Sequence, residues 1–392
     1  MAAISMFLFK RGSRNAMNQT SEKQTFSDNY SKLFGLSCPH MDAPEDFFRQ
    51  LPPDCFEHIK HRMLKLLLEK KTLHKFRFLN LYHIIAIDGV CLCSYDYEPF
   101  SGCPFREHKN GKKVWIVNVV EAKLVYSNGF CLSVASEYIK NDDGFIKQDC
   151  EQKASLRLCK KIKQLFPNMP ICIAADGLYP SEKQFELCKQ YQWKYVFTLK
   201  DDCLETIWQE SRLGVLFQRR NRMVEQHCIK HKWTFERWRF VTSIPYHKTL
   251  SVNWIEYERS IYNKQTKIND ANRFVHITNI DITIKNVIET SNGARLRWTI
   301  ENQGFNEQKN HGYNLRHKFS RRNLKASQNY YQCLQIAHMI AQLCIKCNTV
   351  KAFKGRVSEK TLWEDMIAEL IKATLCEKEI QRIIYLNCQF RY

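Results

Sequence analysis

The stretch HIIAIDG, residues 83–89, is a continuous apolar run that ends in an acid and a glycine. Such a run is typical of a strand that is buried on both faces of a sheet. Downstream, KVWIVNVVEAKLVYSNGFCLSVASEYI, residues 113–139, reads as two or three more strands, with Ser127, Asn128 and Gly129 at a hairpin turn. The pattern therefore predicts that a sheet begins near residue 83.

Helices and buried strands alternate over the next sixty residues. The segments EQKASLRLCKKIKQLF (151–166) and SEKQFELCKQYQ (181–192) have a helical period, and the second opens on a serine cap. The segments MPICIAAD (169–176) and KYVFTLK (194–200) read as buried strands. Three strands, helix, strand, helix, strand is the element order of an RNase H-like α/β domain, with a mixed five-stranded sheet flanked by helices.

The rest of the chain is divided by its composition. We expect a loose polar leader at 1–50, a basic helical segment at 51–76, the first part of the core at 77–200, a mostly β insertion at 201–290, the second part of the core at 291–345 and a helical C-terminal segment at 346–392. In the 51–76 segment, Phe56, Ile59, Met63, Leu66 and Leu67 recur at helical spacing among basic residues. That helix either packs on the body of the protein or contacts a DNA end.

The charge balance points to a polyanionic partner. Over 392 residues, 60 Lys and Arg against 40 Asp and Glu give a net charge of +20. Nucleic acid is the leading candidate and a membrane surface the weaker one. The sequence has no apolar window of the length that a spanning helix needs, and its 17 cysteines are scattered, so we expect a cytoplasmic protein with reduced thiols.

Two aspartates are placed alike. Asp88 and Asp176 each end a predicted buried strand and each precede a glycine. One such residue alone is more often a turn or cap residue, but parallel neighbouring strands bring their carboxyl ends to the same edge of a sheet. Two carboxylates in contact repel each other, and a hard divalent cation, Mg²⁺ or Mn²⁺, relieves that repulsion. The pair therefore predicts a metal site.

The stretch ARLRWTIENQGFNEQKNHGYNLRHKF, residues 294–319, offers a third acid. On a regular helix Arg297, Glu301, Phe305 and approximately Lys309 share a face. Glu301 is then expected to reach the metal, with Arg297 orienting it and Lys309 contacting phosphate, while Glu307 falls on the polar side. The alternative for Arg297 and Glu301 is an ordinary surface ion pair.

Together these blocks resemble the DDE transposases of bacterial insertion sequences, the cut-and-paste type with a β insertion in an RNase H-like core. Their signature is Tyr, two residues, Arg, three residues, Glu, six residues, Lys. Arg297 and Glu301 match it, whereas Ala294 stands at the Tyr position and Gln308 at the Lys position. The resemblance implies a catalytic and metal-binding triad of Asp88, Asp176 and Glu301, two-metal phosphoryl transfer, and a nucleoid-associated homodimer on paired transposon ends.

Basic and aromatic residues supply further candidates for DNA contact. Besides Arg297, these are Lys309, Arg316, Lys318, Arg321, Arg322 and Lys325, from a run without any acid. Such a run either holds a DNA backbone or forms a solvated surface. Trp233, Trp238 and Trp254 in the insertion either stack on a base flipped out of the duplex or belong to the core. Cys91, Cys93, Cys103 and His108 form a weak zinc candidate.

Two other functions share these features. A DNA-binding relative without catalysis retains the basic surface and lacks the metal. An RNase H-like nuclease retains every acid and lacks strand transfer. Joining of DNA ends to a target separates both from a transposase.

Overall fold

One mixed sheet of ten strands runs through the described part of the chain, residues 1–141, 149–201, 203–229, 231–247, 250–267, 269–321 and 323–385 of a computed structural model. The strands are β1 (His83–Tyr95), β2 (Phe105–Glu107), β3 (Lys113–Val125), β4 (Cys131–Tyr138), β5 (Ile171–Ala175), β6 (Lys194–Thr198), β7 (Arg222–Ile229), β8 (Lys232–Tyr246), β9 (Leu250–Asn263) and β10 (Asn269–Thr278). Their order is β2-β3-β1-β5-β6-β10-β9-β8-β7, and β4 also pairs with β3.

Helices cover both faces of this sheet. They are α1 (Ala2–Leu8), α2 (Arg14–Ser21), α3 (Gln24–Phe34), α4 (Asp42–Gln50), α5 (Asp54–Glu69), α6 (Glu151–Leu165), α7 (Glu182–Gln190), α8 (Glu205–Phe217), α9 (Val287–Arg295), α10 (Glu307–Asn310), α11 (Leu324–Lys346), α12 (Asn348–Lys354), α13 (Glu359–Lys372) and α14 (Glu377–Ile384). A 3₁₀ turn spans His74–Phe76, and a π-helical segment spans Ile300–Asn306. The predicted α/β class is confirmed.

Local sequence signals explain several of these elements. The Ser181 hydroxyl accepts a hydrogen bond from the amide of Gln184 and caps α7, as its sequence predicts. Gly129 has φ 85° in the turn between β3 and β4, a conformation that side chains disfavour. The apolar run at 83–89 is only the first half of β1, because the strand continues to Tyr95 along β3.

The five predicted strands occupy the middle of the sheet in the order β4-β3-β1-β5-β6. Strands β1, β5 and β6 are parallel, while β3 and β4 are antiparallel to their neighbours. The insertion extends the same sheet, because β10 pairs antiparallel with β6. It also begins with a helix, α8, which the prediction of a mostly β insertion did not include.

Two apolar cores lie on the two faces of the sheet. Side chains alternate along a strand, so Ala86 and Val90 of β1 belong to one core and Ile85 and Ile87 to the other. The first core holds α9, the π-helical segment and most of α11, and we call its side the α9 face. The second core holds α6, α7 and α8, and its side is the α8 face.

The expectation of a loose leader at residues 1–50 is wrong. This region forms α1 to α4, and α1 and α4 pack against α11. Met6, Phe7 and Met17 are fully buried. The error arose because these helices are short and their apolar residues meet several neighbours, so no single long apolar period marks them.

Helix α5 packs through a face that the apolar pattern missed. Ile59 and Leu66 are exposed, whereas Lys60 and Leu64 are fully buried. The Lys60 ammonium donates to the Ser133 hydroxyl at 2.9 Å, and burial lowers its pKa. The geometry favours packing over DNA contact for this side of α5.

Within the described residues, no helix combines the length and the apolar character that a membrane-spanning segment requires.

Candidate functional site

Asp88 and Asp176 lie side by side on neighbouring parallel strands. The paired register of β1 and β5 ends with Ile87 opposite Ala175, and the next residue in each case is an aspartate: Asp88 within β1 and Asp176 immediately after β5. Asp88 does not end its strand, as the sequence had suggested, but it is the first residue beyond the parallel pairing. The side chain of Asp88 points to the α9 face, because it alternates with Ile87.

The Asp88 carboxylate is held among charges of both signs. Its Oδ1 accepts a hydrogen bond from the Gly89 amide at 2.9 Å, and its Oδ2 lies 3.7 Å from Nη1 of Arg297. The pKa of Asp88 is raised to about 6, mainly by burial; the Arg297 charge and the Gly89 hydrogen bond lower it, and the charges of Asp176 and Glu151 raise it by smaller amounts. The charged form is therefore disfavoured until a cation offsets the repulsion.

A lysine that the sequence did not single out completes the surroundings of Asp176. Lys200, two residues after β6, places Nζ 3.2 Å from Oδ2 of Asp176. The other carboxylate oxygen accepts a hydrogen bond from the Leu178 amide at 2.8 Å. Because β6 is parallel to β5, the residues that follow the two strands meet at one edge of the sheet. The position of Lys200 just after β6 could therefore have identified it as a site residue from the sequence.

Glu151 also reaches this edge, although its place in the first turn of a helix suggested only a dipole effect. Its Oε2 accepts a hydrogen bond from the Tyr179 hydroxyl at 3.0 Å. Its carboxylate packs on Gly89, where an added Cβ would lie 2.5 Å from it. The absence of a side chain at Gly89 thus lets a third carboxylate come close to Asp88.

The segment around Glu301 is not the regular helix that the spacing assumed. Helix α9 ends at Arg295, and the amides of Arg297 and Ile300 bond to carbonyls three residues back. The π-helical segment follows and packs against β1. A π-helical turn closes wider than an α-helical one, so face assignments at 100° per residue do not hold across Glu301.

Arg297 is paired differently from the prediction. It is 7% exposed, and its guanidinium approaches Asp88 and lies 4.5 Å from the centre of the Trp298 ring. Within the part of the chain that the structure describes, Arg297 pairs with Asp88 and forms no ion pair with Glu301. Arg297 therefore bridges the π-helical region to β1, and its burial removes it from the open DNA-contact surface to which the sequence assigned it.

Glu307 does not lie on a solvated polar side. Its carboxylate is 3.1 Å from Nε2 of the buried His338 in α11, and burial raises its pKa to about 7. Gln308, at the lysine position of the family signature, is fully buried and shares hydrogen bonds with Gln335. The Lys123 ammonium donates to that same Gln335, so a buried lysine from β3 stands near this position.

Three residues of the predicted basic run lie along the second half of β1. Lys318 places Nζ 4.2 Å from the centre of the Tyr95 ring, and the charges of Arg316 and Lys309 act on Cys91. Beyond them, Arg321 and Lys325 are exposed. Arg322 lies outside the described residues. The run therefore borders the strand that carries Asp88.

The stacking hypothesis is wrong for two of its three tryptophans. Trp238 stacks on Tyr257 in the core, and Trp254 packs against Trp208, so both are inaccessible to a base. Trp233 is partly exposed, with the Lys264 ammonium 5.3 Å from its ring centre. Alternation in β8 and β9 places the two buried residues on the packed faces.

The described residues contain no group of three His, Cys, Asp or Glu side chains with the geometry of a metal site. Asp88, Asp176 and Glu301 therefore do not converge as a ready ligand set, and Cys91, Cys93 and Cys103 are free thiols. The chemistry at the sheet edge still suits Mg²⁺ or Mn²⁺, because neighbouring carboxylates with a raised Asp88 pKa are hard oxygen donors that repel each other.

Neither the comparison with protein-family models nor the comparison with curated proteins finds a match.

Proposed function

We propose that the chain is a DNA transposase of the DDE type, which cleaves transposon ends and joins them to target DNA at Asp88, Asp176 and Glu301. The observation that carries the proposal is the register of β1 and β5, which ends one residue before both aspartates. Paired carboxylates at the carboxyl edge of parallel strands are suited to phosphoryl transfer assisted by divalent cations.

The strand order supports an RNase H-like core. The order β4-β3-β1-β5-β6, with β1, β5 and β6 parallel, agrees with three antiparallel strands followed by two helix-linked parallel strands. The β-rich extension from β10 to β7 agrees with an insertion between the second aspartate and Glu301. These agreements concern topology, and the chemistry is argued from the site alone.

Five of the candidate residues have a role in the proposed reaction. Asp88 and Asp176 would hold Mg²⁺ or Mn²⁺, joined by Glu301 from the π-helical segment. The bound cations would supply an activated water or 3′-hydroxyl and charge stabilisation on the leaving oxygen. Arg297 keeps the π-helical region against Asp88. Lys200, with about half its side chain exposed beside Asp176, would contact a phosphate oxygen.

The basic run beside β1 is proposed to hold the DNA backbone next to these acids. Lys309, Arg316 and Lys318 surround the stretch from Cys91 to Tyr95, a few residues beyond Asp88 on the same strand. Contacts of this kind fix the position of the duplex without reading its sequence. A homodimer on two paired ends, in the cytoplasm at the nucleoid, completes the proposal.

A non-catalytic DNA-binding relative is the second candidate. It is favoured by the absence of a converged group of three metal ligands in the described residues. In that case the basic surface is retained and the acids bind no cation. A nuclease without strand transfer is distinguished by its products, because it releases cleaved ends and leaves target DNA intact.

The test uses purified full-length protein, a duplex carrying the DNA that flanks the coding region, and Mg²⁺ or Mn²⁺. We expect cleavage by the wild type and none by Asp88→Ala or Asp176→Ala, with DNA binding largely retained by both variants. Full cleavage by either variant removes that residue from the site. Binding without cleavage by the wild type in both metals supports the non-catalytic relative.

A further inference from the structure

The insertion carries a cluster of arginines around α8. Two adjoining grooves of about 380 and 320 Å³ share Val215 and Arg239. Their arginines are Arg212, Arg219, Arg222, Arg237, Arg239 and Arg273, and we call this set the arginine surface. It is separate in sequence from the basic run at 309–325 and shares no residue with the site described above.

The arginine surface lies on the α8 face of the sheet. Gly214 of α8 packs on Val241, and Arg273 lies 5.2 Å from the ring centre of Trp208 in the same helix. Arg237 and Arg239 alternate with the buried Trp238, which belongs to the core of the α9 face. Asp88 points to the α9 face, so Asp88 and the arginine surface lie on different sides of the sheet, and they come nearest at Arg273, whose partner Asp201 directly follows Lys200.

Acidic neighbours offset only part of this charge. Arg237 pairs with Glu258, and Arg239 and Arg273 pair with Glu256. Arg273 also lies 3.2 Å from Asp201. Six arginines against three acids leave an excess of three positive charges.

Three arginines of the surface are open to solvent. Arg212, Arg219 and Arg222 are exposed, and the described part of the chain records no ion pair for them. Arg219 follows the C-terminus of α8, where the negative end of the helix dipole favours a cation. That effect does not explain Arg222, which lies in β7 opposite Arg239. Arg239 is paired with Glu256, whereas no ion pair is found for Arg222 within the described ranges, so the charge of Arg222 is open to an anion from outside the protein.

We propose that the arginine surface binds the phosphate backbone of the target duplex, while the transposon end lies at Asp88 and Asp176. This inference rests on the proposed function. Guanidinium groups donate paired hydrogen bonds to phosphate oxygens and are suited to backbone contact without sequence reading. Joining two duplexes requires two DNA-binding surfaces, and the two faces of the sheet provide them.

The experiment compares Arg219→Ala/Arg222→Ala with the wild type. The matched control is Lys351→Ala/Lys372→Ala, which removes two exposed charges from α12 and α13. Binding to a random-sequence 40-base-pair duplex is measured at several salt concentrations. Cleavage of the flanking-DNA duplex and joining of a pre-cleaved end to a supercoiled plasmid are measured in parallel.

We expect the salt slope of binding to fall by about two in the arginine variant and to stay constant in the control. Joining should fall at least tenfold, with cleavage within twofold of the wild type. Arg219→Lys/Arg222→Lys should recover most of both losses, because it keeps the charge. Melting temperatures should agree, since the substituted side chains are exposed.

Two outcomes overturn the proposal. An unchanged slope with unchanged joining shows that the arginine surface does not bind DNA, and an equal loss of cleavage and joining assigns it to the transposon end. A wild type that neither cleaves nor joins contradicts the proposed function instead. The salt slope of the arginine variant then still decides whether this surface binds a duplex.

Discussion

Replacing Asp88 with Asn is expected to stabilise the metal-free protein while abolishing its cleavage activity. Asp88 is largely buried, and this burial raises its pKa despite the opposing effects of the Arg297 charge and the Gly89 hydrogen bond; the charges of Asp176 and Glu151 add smaller contributions. The substitution keeps the size of the side chain and removes the charge. Functional sites often carry strain of this kind, which the fold tolerates for the sake of activity.

The size of the effect follows from the pKa of Asp88, which rises from 3.8 to about 6 on folding. Between these values the folded state binds more protons than the unfolded state, so the free energy of unfolding falls as pH rises through this window. A tenfold change in acidity corresponds to about 1.36 kcal/mol, so the charged form of Asp88 costs the folded state about 3 kcal/mol above pH 6. Asp88→Asn does not titrate and avoids this cost.

The assay is urea denaturation of both proteins in EDTA between pH 4 and pH 8. The two free energies of unfolding should be close at pH 4, and the variant should exceed the wild type by about 3 kcal/mol at pH 8. Asp365→Asn, at an exposed position of α13, serves as the control and should show no such divergence. A variant less stable than the wild type at pH 8 would mean that the contact with Arg297 outweighs burial, and the electrostatic reasoning would fail.

Three further predictions concern the surrounding residues. Glu301→Gln should eliminate cleavage and joining while DNA binding is preserved. Glu307→Gln should stay active within several-fold, because the pKa of Glu307 is about 7 and its neutral form is already accessible. Cleavage is measured on gels, and the assignment would be refuted if the two variants exchanged behaviours. Gly89→Ala should displace the carboxylate of Glu151 and lower cleavage about tenfold or more. The melting temperature should change little, because the flexible side chain of Glu151 can move aside. Unchanged cleavage would show that this close contact is unimportant. Arg316→Ala should lower the salt slope of DNA binding by about one, and an unchanged slope would leave the basic run as a solvated surface.

The middle of the sheet was predictable because its strands are apolar on both faces. Runs such as residues 84–87 and 171–175 contain no charged residue or hydrogen-bonding side chain that would favour an exposed structure. The second half of β1 was missed because it mixes cysteine, serine and tyrosine at an edge where only β3 pairs with it. The N-terminal helices were missed because tertiary packing, of α1 and α4 on α11 and of α3 on α13, determines which of their residues are buried, rather than a local period.

The site was predictable to the extent that strand ends reveal it. Asp88 and Asp176 follow from the rule that parallel strands collect functional groups at their carboxyl edge, and the same rule applied to β6 points to Lys200. The π-helical segment was not predictable, because its wider turn leaves no mark in residue spacing, and it changed the faces assigned to Arg297 and Glu307. Contact between Glu151 and Gly89 depends on how α6 sits over β1, which spacing alone does not specify.

Joining of a pre-cleaved 3′-hydroxyl end to a supercoiled plasmid tests the central claim most directly. With Mg²⁺ or Mn²⁺ present, the wild type should convert plasmid into end-joined product, and EDTA or Asp176→Asn should abolish it while the protein still binds the end. Product formation by Asp176→Asn at the wild-type rate, or none by a wild type that binds both DNAs in either metal, would contradict the account.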